Sequence, residues 1–244
     1  MKQGKVYIGT SGWVYKHWKD RFYPEELKTK DWFGYFTERF GTVEINNSFY
    51  RLPDIKTFNA WRDAVPEGFI YAVKASRFMT HMKKLIVDKS SITKFFRRAF
   101  HLEEKLGPVL FQLPPSFGVN AERLEKFLEA LPEGLRYTFE FRDHSWYTDE
   151  IYALLRKHEA AFCIYELEHH VSPLEVTAGF IYIRLHGPGG KYQGNYSDNG
   201  LRKWAAFCKK WRKKGKDVYV YFDNDQEAYA AFNALKLREL VEKH

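Results

Sequence analysis

Strand-like apolar runs and amphipathic stretches alternate eight times along this chain of 244 residues, and that alternation limits its architecture more than any other feature. The runs that read as strands cover residues 6–10, 42–46, 69–74, 109–113, 137–142, 161–165, 180–186 and 218–223. Between them, helical spacing is expected over 31–40, 55–64, 91–106, 121–131, 149–157, 201–214 and 226–242, with a short, weak connection near 173–178. Ser90 and Ser91 stand as N-caps before the third of these helices, Asn120 before the fourth and Asp198 before the one at 201–214. Gly41, Gly107 and Gly215 follow helix ends, where a left-handed residue closes the last turn. Eight such units in sequence predict an α/β fold, a TIM-type (β/α)8 barrel, for which about 250 residues is the usual size. A doubly wound open sheet is the alternative. No linker rich in Pro, Ser or Gly interrupts the units, so one domain over 1–244 is expected.

Composition excludes several classes. The chain is 45% hydrophobic and 29% charged, too apolar for a disordered segment, and its 9 Pro and 16 Gly rule out a collagen-like or low-complexity one. No window approaches the ~20 apolar residues of a membrane span, and no signal-length apolar stretch opens the sequence, so a cytoplasmic protein without membrane partners is expected. Two cysteines, Cys163 in a strand and Cys208 in a helix, supply neither a disulfide framework nor a metal knuckle and fit a reducing compartment. Lys209, Lys210, Arg212, Lys213, Lys214 and Lys216 contribute six of the net +8, and without them +2 remains. Their place at the end of a helix leading into a strand favours a solvated helix terminus, on the face of a barrel opposite its active site, over a nucleic-acid contact.

The ends of the strands are unusually polar, and barrel chemistry is built there. Side chains alternate across a strand, so Glu44 shares a face with Asn46, Glu140 with Arg142, and Arg184 with His186, while Ile45, Phe141 and Leu185 turn toward the helices. Glu44, Asn46, Lys74, Gln112, Glu140, Arg142, Arg184, His186 and Asp223 are therefore expected to converge on one pocket. The competing reading is a network of buried ion pairs at the rim that meets no ligand. Gly189 and Gly190, followed by Lys191, offer backbone amides to an anion in the loop after the seventh predicted strand, where barrels often bind phosphate. Arg77, His81, Lys83 and Lys84 would add positive charge after the third strand. Trp13, Tyr15, Trp18, Phe22, Tyr23, Phe49, Tyr50, Trp146 and Tyr147 are placed either to pack under loops or to stack on bases or sugars.

Several motifs occur together: Gly9-Thr10-Ser11-Gly12-Trp13, Glu44-Ile45-Asn46-Asn47-Ser48-Phe49-Tyr50, Phe111-Gln112-Leu113-Pro114-Pro115, Glu140-Phe141-Arg142, Arg184-Leu185-His186-Gly187 and Phe222-Asp223-Asn224. With these the chain resembles, nearly end to end, the family called domain of unknown function 72 (YecE-like), and the resemblance implies a TIM-type barrel. Members often carry His directly after Glu-Phe-Arg, whereas Asp143 and then His144 stand here. In architecture the chain also resembles phosphodiester-cleaving barrels of the apurinic endonuclease type.

The function expected is binding, with hydrolysis, of a phosphate-bearing substrate, nucleic acid included. Glu44 and Glu140 are the acid–base candidates, with His186 beside them. Lys74, Arg142 and Arg184 would stabilise developing negative charge. Thr10, Asn46, Gln112, Gly189, Gly190, Lys191, Asp223 and Asn224 are the binding candidates. A divalent cation, if one takes part, would sit on Glu44, Glu140 or Asp223. The alternatives are a metal-free isomerase or lyase acting on a small molecule, and a protein that binds an anion or nucleic acid without turnover.

Overall fold

A computed structural model describes residues 3–243. Its strands are β1 (Val6–Thr10), β2 (Thr42–Ile45), β3 (Ile70–Lys74), β4 (Leu106–Leu113), β5 (Tyr137–Phe141), β6 (Ala161–Leu167), β7 (His170–Val171), β8 (Phe180–Leu185) and β9 (Asp217–Phe222). Their hydrogen-bonded order is β1-β9-β8-β6-β5-β4-β3-β2, which is the sequential order of a (β/α)8 barrel once the two-residue β7, an antiparallel partner of β6, is set aside. Just beyond β1 and β2, Ser11 and Glu44 form a parallel bridge. The helices are α1 (Trp32–Thr37), α2 (Asn47–Tyr50), α3 (Ile55–Asp63), α4 (Lys89–Ala99), α5 (Ala121–Glu129), α6 (Asp149–Lys157), α7 (Asp198–Lys213) and α8 (Tyr229–Glu242).

Local chemistry moves several boundaries. Asp88, not Ser90 or Ser91, caps α4, because its carboxylate accepts from the Ser91 amide at 2.8 Å and both serine hydroxyls turn to donate to it. Ser197 caps α7 through the Gly200 amide, which leaves Asp198 in the first turn. Asn120 caps α5 as expected. α8 begins at Tyr229 rather than at Gln226, since Glu227 and Ala228 take left-handed conformations at φ 53° and 61°. Asn46 leaves β2 in a helical conformation, so its alternation with Glu44 stops there. Of the three proposed closing glycines only Gly215 has a positive φ, 81°. Gly107 lies within β4, where a Cβ would stand 2.4 Å from Ile70 Cγ2. The described residues 172–179 contain no helix, so β6 reaches β8 through a hairpin and irregular chain.

The chain gathers into two compact units. The first comprises the residues up to Glu44, Ile164–Leu174 and those from Gly179 onward. Its core holds β1, β8, β9 and an aromatic cluster in which Tyr23 stacks on Trp32 at 4.5 Å and Phe22 meets Trp18 edge-on. The second comprises Ile45–Cys163 and Glu175–Ala178. There Phe111 stacks on Phe139 and Phe141 on Trp146, at 5.1 and 4.8 Å. Each such fully buried ring contributes about 2–3 kcal/mol by removal from water, which explains why most aromatic residues near strand ends are packed.

Candidate functional site

In the first unit a closed set of charges surrounds Arg184. This side chain, 1% exposed, reaches Glu44 through Nε–Oε2 at 3.0 Å and Nη2–Oε1 at 2.7 Å. The same carboxylate accepts from the Ser11 hydroxyl at 2.8 Å and from the Tyr182 hydroxyl at 2.6 Å. Four donors thus fill the carboxylate, and the bidentate geometry is the strongest that a guanidinium offers. Arg184 Nη2 also donates to Asp223 Oδ2 at 3.2 Å, and Nη1 approaches His186 Nε2 at 3.4 Å. Because Nε2 accepts, Nδ1 carries the proton and donates to Asp223 Oδ2 at 3.0 Å. Alternation along β8 puts Tyr182, Arg184 and His186 on one face. Burial, followed by the charges of Asp223, Asp225 and Glu44, raises the Tyr15 phenol well above its ordinary range, so it stays protonated. Burial, and then Asp223, also raises Asp225, whose backbone carbonyl accepts from the Trp18 indole at 2.9 Å.

Asn224 and the glycine-rich loop belong to the same unit. The Asn224 amide donates to the Gly194 carbonyl at 2.8 Å and to Asn233 Oδ1 at 2.9 Å, while Asn233 Oδ1 accepts the Tyr196 amide. These bonds pin the loop that holds Gly189, Gly190 and Lys191, of which Gly190 and Lys191 are exposed. Gly187, at φ 116°, tolerates no side chain, since a Cβ would meet the Gln193 carbonyl oxygen at 2.2 Å. Thr10 donates its hydroxyl to the Gly12 carbonyl at 2.6 Å, within its own turn.

The second unit assembles a different set at the ends of β3, β4 and β5. Parallel register puts Gln112 beside Glu140, and Lys74 is the last residue of β3. Glu140, with no exposed surface, binds the Arg142 Nε through Oε1 and lies 3.8 Å from Cys163 Sγ through Oε2. The Lys74 ammonium lies over the Phe49 ring at 4.3 Å, and His81 and Phe49 meet in a T-shaped contact at 4.9 Å, so both touch one aromatic ring. His81 belongs to a π-helical turn, Phe78–Met82, a backbone form common at functional positions. Burial first, then the charges of Lys74 and Arg77, bring its imidazole down to about 4, with Glu140 opposing them. At neutral pH it is uncharged. The expected positive charge at His81 is thereby corrected. Asn46, at the start of α2, keeps its Oδ1 buried without a hydrogen-bond partner, and the nearby Ser48 hydroxyl ties α2 to β3 through the Lys74 carbonyl at 2.6 Å.

Among the described residues no three His, Cys, Asp or Glu side chains gather so as to hold a metal ion. For Glu44 the reason is visible, since its lone pairs are taken. No helix among them is long and apolar enough to cross a membrane.

The model of the family described as "Protein of unknown function DUF72" matches residues 7–244. The chain belongs to the DUF72 family. A crystal structure of a DUF72 family protein from Thermotoga maritima is 30% identical, covers 98% of this chain and 100% of its own, and superposes with a TM-score of 0.89. A DUF72 family protein from Enterococcus faecalis, 18% identical with a TM-score of 0.84, matches 98% of this chain and 96% of its own and shares the fold. The UPF0759 protein YunF of Bacillus subtilis is 24% identical over 97% of this chain and 95% of its own length. The fold is thus the TIM-type (β/α)8 barrel that the strand count predicts.

In this DUF72 chain, Glu44, Arg184, His186 and Asp223 are brought together in one unit, and Lys74, Gln112, Glu140 and Arg142 line adjacent strand ends in the other. Thr10 and Asn224 shape local backbone. Sequence reasoning passed over Tyr182, which the two-residue period of β8 would have revealed, and Ser11, which stands in a quoted motif without an assigned part. It missed the neutral state of His81 because burial and the neighbouring cations set it, and neither is a local property of the sequence.

Proposed function

We propose that the β3–β5 strand ends bind a phosphate-bearing substrate and hydrolyse it. The carrying observation is charge: two cations, Lys74 and Arg77, and one carboxylate, Glu140, act on an uncharged imidazole, and that carboxylate is already paired with Arg142. An anion would oppose the field that Lys74 and Arg77 exert on the imidazole. Lys74 and Arg142 would hold the nonbridging oxygens, with Glu140 fixing the plane of the Arg142 guanidinium. Gln112 and Asn46 supply neutral polar groups for the rest of the substrate.

His81 would take the proton of the attacking water. In the free protein its basicity is weak, but a bound phosphate dianion cancels the field of Lys74 and Arg77 and raises it toward the working pH. The cations would then stabilise the charge on the equatorial oxygens as the ester bond breaks. Glu44, saturated by four donors, takes the part of a positioning group that fixes Arg184 rather than that of an acid or base. The Arg184 network fits the competing expectation of a buried ion-pair rim.

The test has two halves. Titration of inorganic phosphate, followed by the His81 ring resonances, should raise its midpoint from about 4 by one unit or more, and Lys74→Ala should remove that response; a midpoint indifferent to phosphate defeats the reading. With p-nitrophenyl phosphate and bis(p-nitrophenyl) phosphate as probes, His81→Asn should lower kcat about 100-fold with little change in KM. Binding without turnover of either ester would leave an anion-binding protein and discard the hydrolytic half.

A further inference from the structure

We propose that the substrate taken at the β3–β5 strand ends is single-stranded nucleic acid, with a base laid on Tyr50 beside the phosphate; the proposal rests on the phosphate reading above. Most aromatic side chains near strand ends are packed. Tyr50 is instead 73% exposed, more than any other large apolar side chain among the described residues, and Met82, at 66%, comes next. Their places coincide. Tyr50 follows Phe49 and Met82 follows His81, and the Phe49 and His81 rings meet at 4.9 Å. The two most exposed large apolar side chains therefore border the imidazole assigned to the hydrolytic step. Solvation explains charged groups at a surface, but it opposes rather than explains an apolar pair in water. A T-shaped contact with Phe49 at 5.0 Å also steadies the Tyr50 ring, so a base can stack on it with little further loss of conformational freedom.

Charge around this pair favours a strand over a lone nucleotide. Residues 46–53 and 75–87, which follow β2 and β3, contain Arg51, Arg77, Lys83 and Lys84 and no Asp or Glu. Arg51, Arg77 and Lys83 are exposed. Asp54 and Asp88, which end the two segments, are engaged as N-caps, accepting the Thr57 and Ser91 amides at 2.8 Å. Cations beyond the one phosphate at Lys74 find their counter-charges in the neighbouring phosphates of a chain. A paired duplex hides the faces of its bases, so stacking on Tyr50 requires an unpaired strand.

Fluorescein-labelled decathymidylate, titrated with the intact protein at low salt and followed by anisotropy, should bind saturably, and its affinity should fall steeply as salt rises. Tyr50→Ala, with its circular dichroism unchanged, should bind the strand about tenfold more weakly, whereas Tyr50→Phe, which keeps the ring, should stay within about twofold of the parent. The His81 response to inorganic phosphate should be the same in Tyr50→Ala as in the parent, since Tyr50 lies outside the set that holds the phosphate. Absent binding of decathymidylate, or equal binding by the parent and Tyr50→Ala, overturns the inference, and a retained His81 response then leaves the phosphate reading standing. A His81 midpoint indifferent to phosphate overturns the phosphate reading instead, and Tyr50-dependent binding of the strand would still uphold the stacking site. Thymidine monophosphate bound as tightly as decathymidylate overturns the assignment to a strand.

Discussion

Arg184 is enclosed so completely that its partners decide whether the residue can be there at all. Glu44→Gln leaves the geometry nearly intact but removes the main balancing charge, and breaking a buried pair in this way costs about 3–5 kcal/mol. Urea unfolding should show that loss as a lower midpoint with an unchanged slope; a midpoint like that of the parent would mean that the network is dispensable. His81 makes a second prediction, with a definite sign. Its midpoint is about 4 in the folded chain against an ordinary 6.5, so between those values the unfolded chain binds more protons. Stability therefore rises with pH across that window and is lost as pH falls through it. With allowance for the partial exposure of His81, the contribution is roughly 1 kcal/mol. Denaturation at pH 4.5 and 7.5 should show a smaller difference in His81→Asn than in the parent.

Among the elements, the caps show where reading a sequence succeeds and where competition defeats it. Asn120 has no rival beside it and caps α5 as expected, whereas at α4 and α7 two or three competent residues stand together and only the backbone path selects one. Ser197→Ala should destabilise the chain by about 1 kcal/mol, read as a fall in thermal midpoint, while Asp198→Ala should cost less. An equal or larger effect at Asp198 would move the cap back to where the sequence suggested. Strands were the more legible class because apolar runs of β-branched and aromatic residues mark them directly; β1 matches its expected bounds to the residue. Gly107 was misread for the opposite reason, since a close approach to Ile70 leaves no trace in the residues around Gly107 itself.

Across the whole molecule, eight alternating units were enough to predict the barrel, because connection length and handedness leave few other arrangements. The site was legible as residue types and not as partnerships. That Glu44 is consumed by Arg184 while Lys74 and His81 share the Phe49 ring depends on side-chain placement between elements far apart in the sequence. Ligand linkage gives a measurement at this scale. If phosphate binds the folded chain alone, its addition at ten times the dissociation constant should stabilise the protein by about 1.4 kcal/mol, and the thermal midpoint should rise with concentration. A midpoint insensitive to phosphate at high concentration would contradict binding to the folded form.

Glu44 and Arg184 meet across 140 residues of chain, and the last member of their network, Asp223, lies 39 residues beyond Arg184. During synthesis the acidic group therefore waits, facing water or transient contacts, until β8 and β9 have emerged from the ribosome. Contacts of such long sequence separation form late and slowly. The emergence of β9 would then act as a latch, and truncations that stop before residue 223 should leave nascent chains dependent on chaperones however well their earlier strands have formed.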